Sequence, residues 1–206
     1  MSLISINIRG LGRDIKWKYF QNIVRKERPG VICIQETKLV NINSKRCYTL
    51  LGFNYFKWVH RSVEVDGGGI LTMWYNQIFN CTRIVEGKGF IVIIGEYKIG
   101  EGEQAVKAGI INVYFSCLIS EKMELWKDIE NIKDTDNSLA WCVVGDFNAV
   151  RHHNERKGIG QDRINRAELD GFNTFIDKCQ LFDIPVVGRK FTCVTTGVTT
   201  GTANKK

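Results

Sequence analysis

The 206-residue sequence predicts an α/β (α+β) fold in which two β-sheets pack face to face with helices outside. Three observations predict it. The chain starts strand–helix–strand, its middle (53–117) is a succession of strand-like segments, and helical stripes return only afterwards. Apolar residues make up 44% of the chain, enough for a sizeable core in one domain.

The elements follow in order. Leu3 to Ile8 alternates apolar and polar residues and reads as a strand. Over 15–28, Trp17, Phe20, Ile23 and Val24 recur at helical spacing, with Lys16, Lys18, Arg25 and Lys26 on the other face. Pro29-Gly30 stops that helix. Val31-Ile32-Cys33-Ile34 is a continuous apolar run, as a central strand buried on both faces requires. A second helix ends over Tyr48 to Leu51.

Four strands are expected in the middle: Tyr55 to Val59, Gly69 to Tyr75, Phe90 to Tyr97 and Gly109 to Phe115. Gly, Asn and charged turns separate them. Gly67-Gly68-Gly69 lacks the G-x-G-x-x-G spacing and a following helix, so it reads as a hairpin turn. A helix follows with Ser120 as N-cap and Met123, Trp126, Ile129 and Ile132 along one face. Trp141 to Val144 reads as a buried strand. Asn165 caps a further helix, with Glu168 three residues on. Leu169, Phe172, Ile176 and Cys179 form its apolar stripe. A last strand is expected at Lys190 to Thr195. The remainder, Thr195 to Lys206, has no large apolar residue except Val198 and is expected to be disordered.

Seven cysteines occur, none spaced C-x-x-C, and most sit in apolar runs. A disulfide framework and a zinc site are therefore not expected, and a reducing compartment is. No stretch approaches the roughly 20 apolar residues of a membrane helix, and Arg9 interrupts the short apolar N-terminus. The expectation is an intracellular protein, in nucleus or cytoplasm, neither secreted nor membrane-bound. The net charge is +7. It is uneven: residues 1–30 hold seven Lys and Arg against two Asp and Glu, and residues 151–166 hold five against two. A polyanionic partner fits this distribution.

Four stretches share one design, a polar residue directly after a buried strand. They present Asn7 (Ser-Ile-Asn-Ile-Arg-Gly), Glu36 (Cys-Ile-Gln-Glu-Thr-Lys), Tyr114 (Ile-Asn-Val-Tyr), and Asp146 with Asn148 (Val-Val-Gly-Asp-Phe-Asn). Strand ends are where a rigid scaffold presents reactive groups. A carboxylate and an amide at adjacent strand ends can hold one Mg²⁺, which needs few protein oxygens and keeps several waters. An Asp with an Asn two residues on can orient a water and a phosphate oxygen. A lone Asp-x-Asn is ordinarily a turn; the series in this order, with a Tyr between, is what carries information.

Asn-Ile-Arg-Gly, Gln-Glu-Thr-Lys, Gly-Asp-Phe-Asn and Gly-Arg-Lys-Phe-Thr together resemble the endonuclease/exonuclease/phosphatase superfamily. More closely, the chain is similar to the apurinic-like endonuclease domain of plant LINE-type (non-LTR) retrotransposons. Gly-Leu-Gly after Arg9 and Asn-Glu-Arg-Lys-Gly after the Asp-Phe-Asn strand belong to that likeness, which runs from about Leu3 to Thr192. It implies a four-layer sandwich of two mixed sheets flanked by helices, acting as a monomer on DNA.

The resemblance also implies roles. Glu36 would be the principal ligand of Mg²⁺, or of Mn²⁺ in its place. Asn7 would lie beside it, orienting it or supplying a further oxygen. Tyr114 would hydrogen-bond the scissile phosphate. Asp146 would align or deprotonate the attacking water, and Asn148 would hold a phosphate oxygen. Arg9, Lys38, Arg151, His152, Arg156, Lys157 and Thr192 would contact the nucleic acid. The reaction would be phosphodiester hydrolysis, nicking target DNA to prime reverse transcription.

The chain departs from that pattern in places. Ile6 stands where the family has Trp, Phe115-Ser116 replaces x-Pro after Tyr114, and Cys193 replaces a Trp. No Ser-Arg-Leu-Asp-Arg segment or final Ser-Asp-His follows. The resulting expectation is a domain over 1–194 that lacks its last strands, an unrelated tail over 195–206, and impaired activity. The alternatives are an inactive retroelement remnant that at most binds nucleic acid, and a superfamily phosphatase or exonuclease.

Overall fold

A computed structural model describes residues 2–12, 14–51, 56–62, 68–98, 104–115, 118–155 and 165–184. The chain divides into two compact units, Met1–Ala149 and Val150–Lys206. The first unit contains both β-sheets.

Sheet A has the order β1-β2-β4-β3. Its strands are β1 (Leu3–Asn7), β2 (Val31–Gln35), β3 (Phe56–Arg61) and β4 (Ile70–Tyr75). β1 runs parallel to β2, with Asn7 opposite Gln35, and β4 is antiparallel to both β2 and β3. The apolar run at β2 is buried along its whole length, as a strand with sheet neighbours on both sides and packing on both faces must be. Helices α1 (Asp14–Glu27) and α2 (Ser44–Leu51) cover one face of the sheet. There Phe20, Val24, Cys47 and Leu51 pack with Ile32, Ile34, Leu71 and Met73. Pro29-Gly30 ends α1 as expected, with Arg28 in the left-handed conformation at φ 45°.

Sheet B has the order β5-β6-β7-β8. It comprises β5 (Phe79–Gly87), β6 (Phe90–Tyr97), β7 (Val106–Tyr114) and β8 (Ala140–Asp146). β7 and β8 are parallel and bring Tyr114 opposite Asp146. Between the sheets, Val31, Cys33, Ile70 and Trp74 of sheet A meet Phe79, Ile91, Ile93, Ala108 and Ile110 of sheet B. The connection from β7 to β8 is α3 (Ile119–Asp134), which buries Leu125, Trp126 and Ile129. The two-sheet sandwich with helices is the architecture the sequence predicts.

Four expectations need correction. Residues 79–87 form a strand, where only turns were expected. β5 lies at the edge of the described sheet, and its outward positions Asn80, Thr82, Arg83 and Glu86 hide the alternation. Ser120 does not cap α3: Leu118 occupies the N-cap without any side-chain hydrogen bond, and Ser120 lies inside the helix. Met123 is 50% exposed; the inward face runs Lys122, Leu125, Trp126, Ile129, the i, i+3, i+4, i+7 pattern with a lysine in it. β8 is half-buried, as an edge strand of the described sheet.

In the second unit, α4 (Arg166–Lys178) starts as the sequence indicates. The Asn165 side chain accepts from Ala167 N at 2.9 Å. Phe172, Phe175, Ile176 and Cys179 are buried. The strand expected at Lys190 to Thr195, the tail after it, and Arg156, Lys157 and Thr192 lie outside the described residues.

The described cysteines are free thiols. Burial pushes Cys47 up to about 12 and also raises Cys33 and Cys142. Burial of this kind favours the neutral thiol over the thiolate.

Candidate active site

Because β1 is parallel to β2 and β7 to β8, the carboxyl ends of four strands deliver Asn7, Glu36, Tyr114 and Asp146. The structure brings three of them into one hydrogen-bonded group. Asn7 Nδ2 donates to Glu36 Oε1 at 2.8 Å and to Asp146 Oδ2 at 2.8 Å. One neutral amide thus uses both its hydrogens on two carboxylates from different sheets. Its orientation is fixed from behind, since Arg9 N donates to Asn7 Oδ1 at 3.1 Å. A donor faces the amide oxygen and two acceptors face the nitrogen, so only one flip satisfies the network. In this arrangement Asn7 orients Glu36, and its Oδ1 accepts from Arg9 N with a second lone pair remaining.

Asp146 is held on both oxygens. Asn148 N donates to its Oδ1 at 3.0 Å. The Asn148 side chain donates to Phe115 O at 2.9 Å, leaving its second amide hydrogen for a ligand. Tyr114 ends β7 beside Asp146 in register and packs partly against the inter-sheet core.

The backbone around these residues is unusual. Among the described residues, six non-glycine residues have positive φ, and four lie here: Arg9 (49°), Glu36 (52°), Lys38 (54°) and Asn148 (48°). Each costs roughly 1–2 kcal/mol relative to the right-handed conformation. Such strain persists only where surrounding contacts hold it, and it clusters at functional sites. The contacts here are Gly10 N to Glu36 O at 2.6 Å, Leu11 N to Thr37 O at 2.8 Å, and Lys16 Nζ to Ile8 O and Arg9 O at 2.8 and 2.6 Å.

Two features beneath the site were not singled out from sequence. Gln35 Nε2 donates to Asn112 Oδ1 at 2.7 Å and to Ser5 Oγ at 3.2 Å, and Asn112 Nδ2 donates to Leu71 O at 3.2 Å and Thr72 Oγ1 at 3.1 Å. This polar chain crosses the core between the sheets. Its signal in the sequence was a lone amide within each of two apolar strands. The other is Lys122, 2% exposed, whose Nζ donates to Asn148 O at 2.5 Å. Its signal was a lysine within the apolar stripe of α3.

Of the residues expected to grip nucleic acid, Lys38 stands near the site, its Nζ 3.8 Å from Glu36 Oε2. Arg9 is exposed on the loop after β1. In the second unit His152 is exposed, whereas the Arg151 guanidinium is engaged by Asn173 Oδ1 at 3.0 Å and Asp183 Oδ2 at 2.6 Å.

The donor set is hard oxygen: two carboxylates, with no group of three or more His, Cys, Asp and Glu among the described residues. It suits a hard divalent ion that retains most of its waters and does not suit zinc. No described helix is long and apolar enough to cross a membrane.

The family model described as "Endonuclease/Exonuclease/phosphatase family" matches residues 4–204. No curated protein matches the sequence significantly. Similar solved structures include the AP endonuclease LMAP from Leishmania major, at 17% identity and TM-score 0.65, covering 86% of this chain and 66% of that one. An AP endonuclease from Archaeoglobus fulgidus has 10% identity and TM-score 0.65, over 86% and 70% of the two chains. The 3′ phosphatase NExo from Neisseria, bound to product DNA hairpin, has 14% identity and TM-score 0.63, over 86% and 71%. The chain therefore spans about two thirds of the length of the Leishmania structure.

Proposed function

Since the chain belongs to the endonuclease/exonuclease/phosphatase family, we propose that it is a metal-dependent DNA endonuclease of LINE type that hydrolyses phosphodiester bonds at the Glu36–Asn7–Asp146 group. The observation that carries this reading is the single amide of Asn7 bridging two carboxylates, 2.8 Å from each. A bridge of this kind holds two negative groups ready at one point without adding charge.

Each residue has a task in the proposed reaction. Glu36 would hold Mg²⁺, or Mn²⁺ in its place, which would neutralise charge building on the phosphoryl and leaving oxygens. Asn7 keeps the Glu36 carboxylate turned to that position. Asp146 accepts one hydrogen bond on each oxygen and retains lone pairs to orient and deprotonate a water. The water oxygen bonds to phosphorus, the bond to the 3′ oxygen breaks, and the leaving oxygen takes a proton from solvent. The free amide hydrogen of Asn148 and the Tyr114 phenol are assigned to the non-bridging oxygens. Arg9 and Lys38 are assigned to neighbouring phosphates, together with Arg151, His152, Arg156, Lys157 and Thr192 on sequence grounds.

The assignment to the LINE group rests on Gln35-Glu36-Thr37-Lys38 and Gly145-Asp146-Phe147-Asn148 as they stand here. The Neisseria 3′ phosphatase has a similar fold, which makes removal of a terminal phosphate the second reading. Analysis of reaction ends separates the two. A labelled duplex cut internally to leave 3′-hydroxyl and 5′-phosphate ends supports the endonuclease. Release of inorganic phosphate from a 3′-phosphorylated primer with no internal cut overturns it.

A further inference from the structure

Lys122 lies on the inward face of α3 and is 2% exposed. A buried ammonium is costly unless its hydrogens are used, so its position needs a reason. Its Nζ donates to the backbone oxygen of Asn148 at 2.5 Å, reaching across 26 positions of sequence. Asn148 sits in the left-handed conformation at φ 48°. Three separate bonds hold it: the main-chain N–H to Asp146 Oδ1, the side-chain amide to Phe115 O, and the carbonyl from Lys122. The first of these also fixes the Asp146 carboxylate. We propose that Lys122 is a positioning residue, whose buried ammonium locks the Asp146-Phe147-Asn148 turn and so aims the Asp146 carboxylate and the Asn148 amide at the reacting phosphate.

The chemistry is specific to a cation on a long stem. An apolar residue at 122 would fill the space but leave the Asn148 carbonyl without that donor. The strained turn would then relax toward ordinary backbone angles, and Asp146 Oδ1 would lose the N–H that holds it. The guanidinium of arginine can still donate there. The effect falls on the chemical step, because Lys122 acts through Asn148 and not on the substrate.

This inference rests on the proposed hydrolysis for its kinetic test, and a second readout is independent of activity. The first measurement compares amide hydrogen exchange at Asn148 in the unaltered protein and in Lys122→Met. Faster exchange at Asn148 in the variant, with the β8 amides unchanged, supports the lock; equal exchange in both proteins overturns it. The second compares Lys122→Met and Lys122→Arg in steady-state DNA nicking. Lys122→Met is expected to lose about 10- to 100-fold in kcat with KM little changed, as outer partners of catalytic groups commonly do, while Lys122→Arg restores most of it. Equal loss in both variants, or a loss in KM alone, overturns the proposal. If the unaltered protein nicks no DNA, the endonuclease reading fails, and exchange at Asn148 still decides the lock.

Discussion

Gln35 Nε2 donates to Asn112 Oδ1 at 2.7 Å in the space between the two sheets, where Gln35 is 1% and Asn112 0% exposed. This bond joins the strand that leads into Glu36 to the strand that ends at Tyr114. An apolar core would slide more freely; paired amides hold the sheets in one register. Asn112→Ala is expected to cost about 2–3 kcal/mol in urea unfolding, because it leaves the Gln35 amide and the Thr72 side chain short of a partner. The double variant Gln35→Met/Asn112→Leu should lose less than the sum of its singles by about 1 kcal/mol or more. Strict additivity would show that the pair is not coupled.

Asn7→Asp exchanges a two-hydrogen donor for a third negative charge between Glu36 and Asp146. Like charges crowded at one point with no donor between them repel. The variant should therefore unfold more easily than the parent at pH 7.5, by about 1–3 kcal/mol. Equal unfolding free energies in urea would contradict the bridging role.

Gly145 precedes Asp146 at φ 135°, and a Cβ there would lie 2.0 Å from Val113 O in the adjoining strand. Only glycine lets β8 approach β7 this closely at the site. Gly145→Ala should cost at least about 2 kcal/mol and depress nicking more than Gly12→Ala, where a Cβ meets nothing within 4 Å. Comparable thermal midpoints for the two variants would refute the argument.

His60 shares a 3.3 Å hydrogen bond with Thr37, next to Glu36 in sequence, and burial lowers its imidazole from the ordinary 6.5. A histidine depressed in the fold contributes stability above its unfolded value, and that contribution is lost as pH falls through the folded one. Stability should thus decline below about pH 6.5, and His60→Gln should flatten that decline. An unchanged slope would show that another group titrates.

How much of this was legible in the sequence differs by element. β2 was plain because five successive buried positions need five apolar or amide residues. Asn7, Glu36 and Asp146 were visible because a polar residue closes each apolar run. β5 was not, since an edge strand may carry charge on its open positions and still pair. The Ser120 cap failed because the apolar Leu118 occupies the N-cap and Ser120 falls inside the helix. Lys122 was hidden by the habit of assigning lysines to the outer face. The amide orientation of Asn7 depends on Arg9 N, a contact made by a left-handed turn that no spacing rule encodes.

In the proposed function, Glu36, oriented by Asn7 beside Asp146, holds the divalent ion of a nuclease. The most direct test is nicking of supercoiled plasmid across a Mg²⁺ titration by the parent and by Glu36→Gln, which keeps the shape and removes the charge. Mg²⁺-dependent nicking by the parent, abolished by chelator, is expected, with a loss of about 100-fold or more in Glu36→Gln. Equal nicking by both proteins, or nicking that persists in chelator, would contradict that role.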